Sequence, residues 1–281
     1  MYYTNSSKQV AYVEKLYPNT HYQLGNPWLT TNCEEAAYGF KKMGYEVKGF
    51  HKSEIKKLNL SRNTIVKGTV RSVRTALNKI GVPSVPNLDL PDSLREFLNR
   101  KVWFTTLGEV RKSKKKTFIK PLCNQKGFPG YVFYDNDSYS TYDFPDNFPV
   151  LASEPVNFLA EWRVYVLNKK IVNVVGYRGD FSVEMKPKYS QVYPMIEAFK
   201  QQPVAYAMDI GYIDQNTLEN SLAFTLYNNT NKKNNTNIPI SLVEINDAIT
   251  IGNYGIPKVT YARMIEARWN QIVLNNNTTI R

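Results

Sequence analysis

The sequence is short of the residues that build several common active sites. It holds two cysteines, Cys33 and Cys123, and two histidines, His21 and His51. Two cysteines exclude a disulfide framework and a cysteine-rich zinc site. Two histidines, neither with a neighbouring ligand pattern, make a zinc hydrolase or a Ser-His-Asp hydrolase an unfavoured reading. Either cysteine could serve as a thiol nucleophile, but a buried, inert thiol is the commoner role. No apolar run approaches about 18 residues, so no segment reads as a membrane span. The opening residues lack the basic and then apolar blocks of a secretory signal. A cytoplasmic protein is expected, in a host cytoplasm if the source is viral. Neither phosphate-loop pattern, G-x-x-x-x-G-K-[ST] or G-x-G-x-x-G, occurs, and no internal repeat is visible.

What is present is a basic, aromatic-rich chain. Its 281 residues carry 36 Lys+Arg against 24 Asp+Glu, a formal charge of +12, with 42% hydrophobic residues including 20 Tyr and 13 Phe. That composition builds a core and excludes global disorder. The positive excess is either a solvated surface or the footprint of nucleic acid, a membrane surface or a polyanion such as a nucleotide. The run Arg111-Lys112-Ser113-Lys114-Lys115-Lys116 is read as a solvated turn, with nucleic acid as the alternative.

Residues 1–100 read as α/β. Helical spacing over Cys33–Met43 stops at Gly44, and Tyr45–Phe50 alternates like a strand. Asn63–Val66 is a short β-prone run, and Val70–Ile80 a helix ending at Gly81. Three prolines extend Val82–Pro91, and Asp92 is placed to cap a helix through about Arg100. From Lys101 the chain turns to β. Thr117–Lys120 and Tyr131–Tyr134 read as partner strands around a glycine-containing loop, and Val150–Glu154 as a strand. Glu161–Leu167 and Ile171–Tyr177 form a hairpin across Asn168-Lys169-Lys170. Gln191–Gln202 is read as a helix, Ala205–Tyr212 and Ile240–Ile245 as strands, and Thr260–Leu274 as an amphipathic helix. Asn228–Asn237 reads as an exposed loop and Asn275–Arg281 as a frayed end.

Three constellations carry chemistry. In Ser241-Leu242-Val243-Glu244-Ile245-Asn246-Asp247, strand alternation puts Glu244 and Asn246 on one face, and Asp209, inside an apolar strand, offers a third oxygen ligand for a hard cation. The plainer reading pairs Asp209 with an arginine and leaves Glu244 solvated. In Glu161-Trp162-Arg163 the two charged residues share a face opposite Trp162, with Arg178 across the hairpin. Two converging guanidinium groups suit phosphate or carboxylate, and the alternative is a cross-strand Glu–Arg ladder. Lys120, in Phe118-Ile119-Lys120-Pro121, precedes a loop, Lys126–Gly130, whose backbone N–H groups could close over phosphates.

The order Phe-Ile-Lys-Pro, glycine loop, Ser153-Glu154-Pro155-Val156, Glu161, Asp209, Glu244-x-Asn246 resembles the ATP-grasp superfamily. Glu-Trp-Arg, a second Arg after Tyr177, and a Tyr-Gly downstream of Glu-x-Asn-Asp resemble its clade named for two arginines and a lysine, common in bacteriophages and bacteria. The resemblance covers about residues 60–273. It implies two α+β lobes sandwiching ATP (101–157, and 158–281 with an Asn-rich 213–238 insertion) behind an N-terminal preATP-grasp-like α/β domain (1–100). It also implies roles: Lys120 on ATP, the Gln125–Gly130 loop with Gly127 and Gly130 over phosphates, Glu154 and Val156 in the adenine-pairing hinge, and Glu161 on ribose. Arg163 and Arg178 would meet phosphate or an acyl phosphate, and Asp209, Glu244 and Asn246 would bind Mg2+. A second phosphate-site cation is sought among Arg100, Lys101 and Lys186. The implied activity is ATP-dependent joining of a small-molecule or peptide carboxylate to an amine. A non-catalytic ATP-grasp scaffold and a nucleic-acid-binding or -modifying protein are the alternatives.

Overall fold

In a computed structural model of the chain, short β-prone runs broken by glycine, proline and asparagine gather into three separate sheets among the described residues. The structure describes residues 9–15, 27–83 (backbone alone over 27–30), 85, 88–122, 128–134, 141, 143–179, 186–214 and 240–275. Cys123, Gly127, nearly all of the 213–238 insertion and the 276–281 end therefore lie outside the described residues.

The first sheet is parallel, in the order β2-β1-β3, from β1 (Val10–Glu14), β2 (Glu46–Phe50) and β3 (Thr64–Lys67). Its central strand, β1, was not anticipated: Val-Ala-Tyr-Val is an unbroken apolar run, and periodicity cannot assign such a run. Helix α1 (Pro27–Lys42) follows β1, and α2 (Val70–Lys79) follows β3. Thr69 caps α2 by accepting the Ser72 N–H at 3.2 Å. Gly81 leaves the helix at a φ of 75°, a left-handed conformation that glycine adopts without penalty.

The second sheet is antiparallel, ordered β4-β7-β5-β6: β4 (Val102–Thr106), β5 (Thr117–Pro121), β6 (Tyr131–Phe133) and β7 (Pro149–Ser153). Helix α3 (Leu107–Ser113) connects β4 to β5. Leu107, Val110, Ile119, Phe133 and Val150 form its core. The Lys112–Lys116 run starts in the last turn of α3, continues through the link to β5, and is exposed.

The third sheet is antiparallel, ordered β11-β10-β8-β9: β8 (Phe158–Leu167), β9 (Lys170–Gly179), β10 (Ala205–Ile213) and β11 (Ile240–Asp247). Helix α4 (Tyr189–Ala198) follows β9, and α5 (Lys258–Asn275) follows β11. The third sheet is covered on both faces. Val164, Val166, Met208 and Ile210 pack with Val192 and Ile196 of α4. Tyr165, Ala205 and Ala207 join Ala11, Phe40, Val66, Ile265 and Trp269 in a core built from β1, α1, β3 and α5.

Helix α1, expected from Cys33, starts at Pro27, and three further expected elements differ. Residues Asp92–Phe97 form a 3-10 helix, not an α-helix through Arg100. Asp92 caps nothing; its carboxylate accepts from Arg95 Nε at 2.8 Å, and Asn99, at a φ of 48°, ends the helix. The β8–β9 turn is the two residues Asn168 and Lys169, at φ of 51° and 62°, the tight turn whose twist matches the flanking strands. Helix α4 stops at Ala198 because Gln202 Nε2 donates to the Ile196 and Phe199 carbonyls at 2.7 and 3.0 Å. Among the described residues no helix is long and apolar enough to cross a membrane.

Candidate functional site

Alternation along β8 and β10 sends Trp162, Val164, Met208 and Ile210 to the α4 side and leaves Glu161, Arg163 and Asp209 on the opposite face, all buried. Burying three charges among apolar strands is tolerable only if they pair, and they do. Arg163 and Asp209 are cross-strand neighbours. Their pairing is bidentate, Nε to Oδ1 at 2.7 Å and Nη2 to Oδ2 at 2.6 Å. The arginine partner weighed for Asp209 is thus present, on the residue expected to meet phosphate. Burial alone would lower the Arg163 pKa, but the hydrogen bonds and charge of Asp209 raise it above its ordinary value. Burial pushes the Asp209 pKa up, against the pull of Arg163.

Asp209 also faces Glu244 across the β10–β11 ladder. Asn246 bridges the two carboxylates, with Nδ2 3.0 Å from Asp209 Oδ2 and 3.0 Å from Glu244 Oε1. The three residues chosen as metal ligands therefore converge. Glu244 then reaches the second sheet, because Lys120 Nζ donates to its Oε2 at 3.2 Å and to Asp89 Oδ1 at 3.1 Å. Burial opposes ionisation of Glu244, yet Lys120 and Asn246 hold its pKa below the ordinary value. Burial likewise works against the Lys120 charge, but Glu244 and Asp89 raise its pKa. Gly130 runs close by: a Cβ there would stand 2.8 Å from Phe118 Cζ and 3.4 Å from Lys120 Cβ.

The two arginines do not converge on one open position. Arg178, whose side chain is 71% exposed, pairs with Glu161 at 2.8 Å, in the cross-strand ladder named as the alternative. Tyr177 donates to the other Glu161 oxygen at 2.6 Å. Glu161, expected on ribose, thus has both oxygens engaged. Glu154 turns its carboxylate to β4, where Lys101 N–H donates to it at 2.8 Å. Glu154 N–H in turn donates to the Lys101 carbonyl at 3.0 Å. Val156 is half-buried in the segment joining β7 to β8.

Of the three cations considered for a further phosphate contact, Arg100 turns inward. Its Nη1 donates to the Leu98 and Leu242 carbonyls at 3.0 and 2.7 Å, and its Nη2 to Val243 at 3.2 Å. Burial pushes its pKa down to about 10 despite Glu161 and Glu244 nearby. Lys101 lies over the Trp103 ring at 5.8 Å, and Lys186 is exposed.

Two participants were missed. Asp89, in the proline-rich connector, carries no signal in sequence; only the tertiary approach of β5 and β11 gives it a role. Tyr254 lies 4.6 Å from the Arg163 guanidinium by its ring and stacks on Tyr177 at 5.5 Å. The Tyr-Gly pair was visible, but not that its ring would cover Arg163. The loop carrying Tyr254 is tied to α1, since Asn253 N–H donates to Asn32 Oδ1 at 2.6 Å and Asn253 Nδ2 to Glu35 Oε2 at 2.7 Å.

Solved structures share this arrangement of sheets. D-alanine–D-alanine ligase from Bacillus anthracis, in a complex with ATP, is similar with a TM-score of 0.54 at 12% identity, over 95% of this chain and 98% of that one. The ADP complex of the N5-carboxyaminoimidazole ribonucleotide synthetase PurK gives a TM-score of 0.54 at 9% identity, over 94% of this chain and 77% of that one. No curated protein matches the sequence. The model for family 2 of the ATP-grasp domains in the clade named for two arginines and a lysine matches residues 97–264, well over half of the chain, and the protein belongs to that family.

Proposed function

We propose that the protein is an ATP- and Mg2+-dependent ligase that joins a carboxylate to an amine through an acyl phosphate. The observation that carries this reading is the hydrogen-bonded line from Lys120 through Glu244, Asn246 and Asp209 to Arg163, two carboxylates held between two cations, which spans the second and third sheets. The donor set fits a divalent cation. Two carboxylates face each other across a ladder with donor groups already between them, and Asn246 carries an amide oxygen beside its NH2; two carboxylates and an amide oxygen suit Mg2+, which completes its shell with phosphate and water. When bound, the ion would neutralise charge on the phosphates during transfer.

The chain's own residues supply the rest. Lys120, pinned between lobes, presents a compact positive charge to a phosphate. Arg163, fixed by Asp209 below and Tyr254 above, offers the preorganised charge that phosphoryl transfer requires. Arg178, largely exposed, can leave Glu161 for an incoming anion, and that release frees a carboxylate oxygen for a ribose hydroxyl. The Glu154–Phe158 segment offers backbone groups to adenine, with Val156 beside it. In the reaction a substrate carboxylate oxygen attacks the γ-phosphorus and ADP leaves. The amine then attacks the acyl carbon, phosphate departs, and the amine loses a proton. Neither step needs a histidine base. The two enzymes similar in fold bind ATP or ADP in their solved complexes.

The test is ADP release over a panel of amino acids and peptides with Mg-ATP, with the coupled product identified by mass. Glu244→Gln is the informative variant, because it removes a ligand charge without orphaning a buried arginine. Loss of both Mg-dependent ATP binding and turnover is expected, and unchanged ATP consumption would refute the assignment. A nucleic-acid partner has one observation in its favour: Lys114, Lys115 and Lys116 are exposed and form no ion pair among the described residues. Salt-titrated binding of single-stranded RNA and DNA discriminates that reading, since phosphate contacts weaken steeply with salt.

A further inference from the structure

We propose that Asp89 is a positioning residue of the nucleotide site, one that holds Lys120 so that Glu244 is free to turn to the metal. The inference rests on the ligase reading above and adds a residue to it. Asp89 lies in the connector between the first and second sheets, yet its backbone carbonyl accepts the Ile245 N–H of β11 at 2.7 Å, in an isolated antiparallel bridge. Its φ of 38° is left-handed, a conformation that costs a residue with a Cβ free energy unless its surroundings impose it. The bridge to β11 supplies that constraint and fixes the carboxylate between the two sheets. Asp89 Oδ1 then takes Lys120 Nζ at 3.1 Å, opposite Glu244 Oε2 at 3.2 Å.

One ammonium thus sits between two carboxylates with different freedom. Asp89 is anchored through its backbone to the strand that carries Glu244 and Asn246. Glu244 is shared between Lys120, Asn246 and, in the ligase reading, the metal. With Asp89 present, Lys120 keeps an anionic partner when Glu244 turns away, and its long side chain stays ordered where a phosphate would arrive. With Asp89 neutralised, Lys120 has Glu244 as its only carboxylate partner among the described residues and competes with the cation for it. Lys120 and Mg2+ then become rivals, so the defect is specific to metal-dependent binding.

Titration calorimetry of the full chain with ATP in the presence of Mg2+ and in the presence of a chelator tests this. Asp89→Asn keeps the shape and removes the charge. Asp89→Gly removes the carboxylate and relaxes the left-handed backbone, so a loss of Mg-ATP affinity that it shares with Asp89→Asn comes from the missing charge and not from the backbone. The expected result is that both variants fold, bind ATP without metal within about twofold of the parent, and lose about tenfold in affinity for Mg-ATP; with a substrate acid found, KM for ATP rises more than kcat falls. A tenfold loss corresponds to about 1.4 kcal/mol. Mg-ATP affinity unchanged in both variants, in a parent that binds Mg-ATP, overturns the role of Asp89 and leaves the ligase reading standing. A parent that binds no Mg-ATP at all overturns the ligase reading, and this inference falls with it.

Discussion

Lys67 ends β3 inside the first core, 2% exposed, and forms no ion pair among the described residues. Its Nζ donates to the Ile251 carbonyl at 2.9 Å and lies 5.3 Å from the Tyr261 ring. Burial pushes its pKa from 10.5 down to about 8, with nearby Cys33 acting weakly the other way. At about 1.4 kcal/mol per tenfold change, that difference amounts to about 3 kcal/mol by which folding disfavours the charged form at neutral pH. Lys67→Met fills similar space without a charge. The Ile251 carbonyl stays satisfied by the Tyr261 hydroxyl at 2.6 Å, so the loss on that side is one hydrogen bond, about 1 kcal/mol. The expected net gain is about 2 kcal/mol, or a rise of roughly 4–8 °C in Tm for a chain of this size. The sign of the pH dependence is fixed as well. Between about pH 8 and 10.5 the unfolded state holds the Lys67 proton and the folded state has released it. The parent therefore gains stability as pH rises through that window, relative to the variant. Calorimetric or fluorescence melts of parent and variant at pH 7, 8, 9 and 10 measure the difference, in which the titrating groups other than Cys33, the one thiol coupled to Lys67, cancel. A variant that is less stable than the parent at pH 7, or a gap that widens with pH, would refute the reasoning.

Asp209→Ala should cost more stability than Glu244→Ala, by about 3 kcal/mol, because it leaves Arg163 buried without its bidentate partner; urea unfolding compares the two. Tyr254→Leu should weaken the hold on Arg163 by about 1 kcal/mol and lower turnover more than ATP affinity, while Tyr254→Phe, which keeps the ring, should restore it. Gly179→Ala should destabilise the end of β9. Gly179 has a φ of 80°, and a Cβ there would lie 2.1 Å from the Leu159 carbonyl oxygen, so thermal melts should show a loss where most surface substitutions show none.

Much of the site was readable because it obeys strand alternation. Glu244 and Asn246, two residues apart on one strand, had to share a face, and Glu161 and Arg163 had to oppose Trp162; the register shift that skips Val243 and turns Leu242 into the same core as Ile245 was not readable. Chain order then aligned them with Lys120. What sequence could not supply was which charge meets which. Arg163 was assigned to a phosphate, and nothing local says that β10 is paired with β8 in the register that sets Asp209 against it. Asp89 is a further case, since its role exists only because a connector passes over β11. Strand β1 was missed for the opposite reason: Val10, Ala11, Tyr12 and Val13 are all apolar, so the sequence hides the alternation of half-buried and buried positions that the strand has.

The first core has a consequence for how the chain is made. Ala11 of β1 and Phe40 of α1 are buried together with Ile265, Trp269 and Val273 of α5, and Gly39 of α1 lies so near α5 that a Cβ would stand 2.2 Å from the Lys258 carbonyl oxygen. Contacts of such sequence separation form slowly and only when both partners exist. During synthesis the N-terminal sheet therefore leaves the ribosome with one wall missing, and its apolar face waits for most of the remaining chain before α5 arrives to close it. For the same reason a chain trimmed to the family-matched segment 97–264 would expose the matching face of the third sheet and is expected to aggregate.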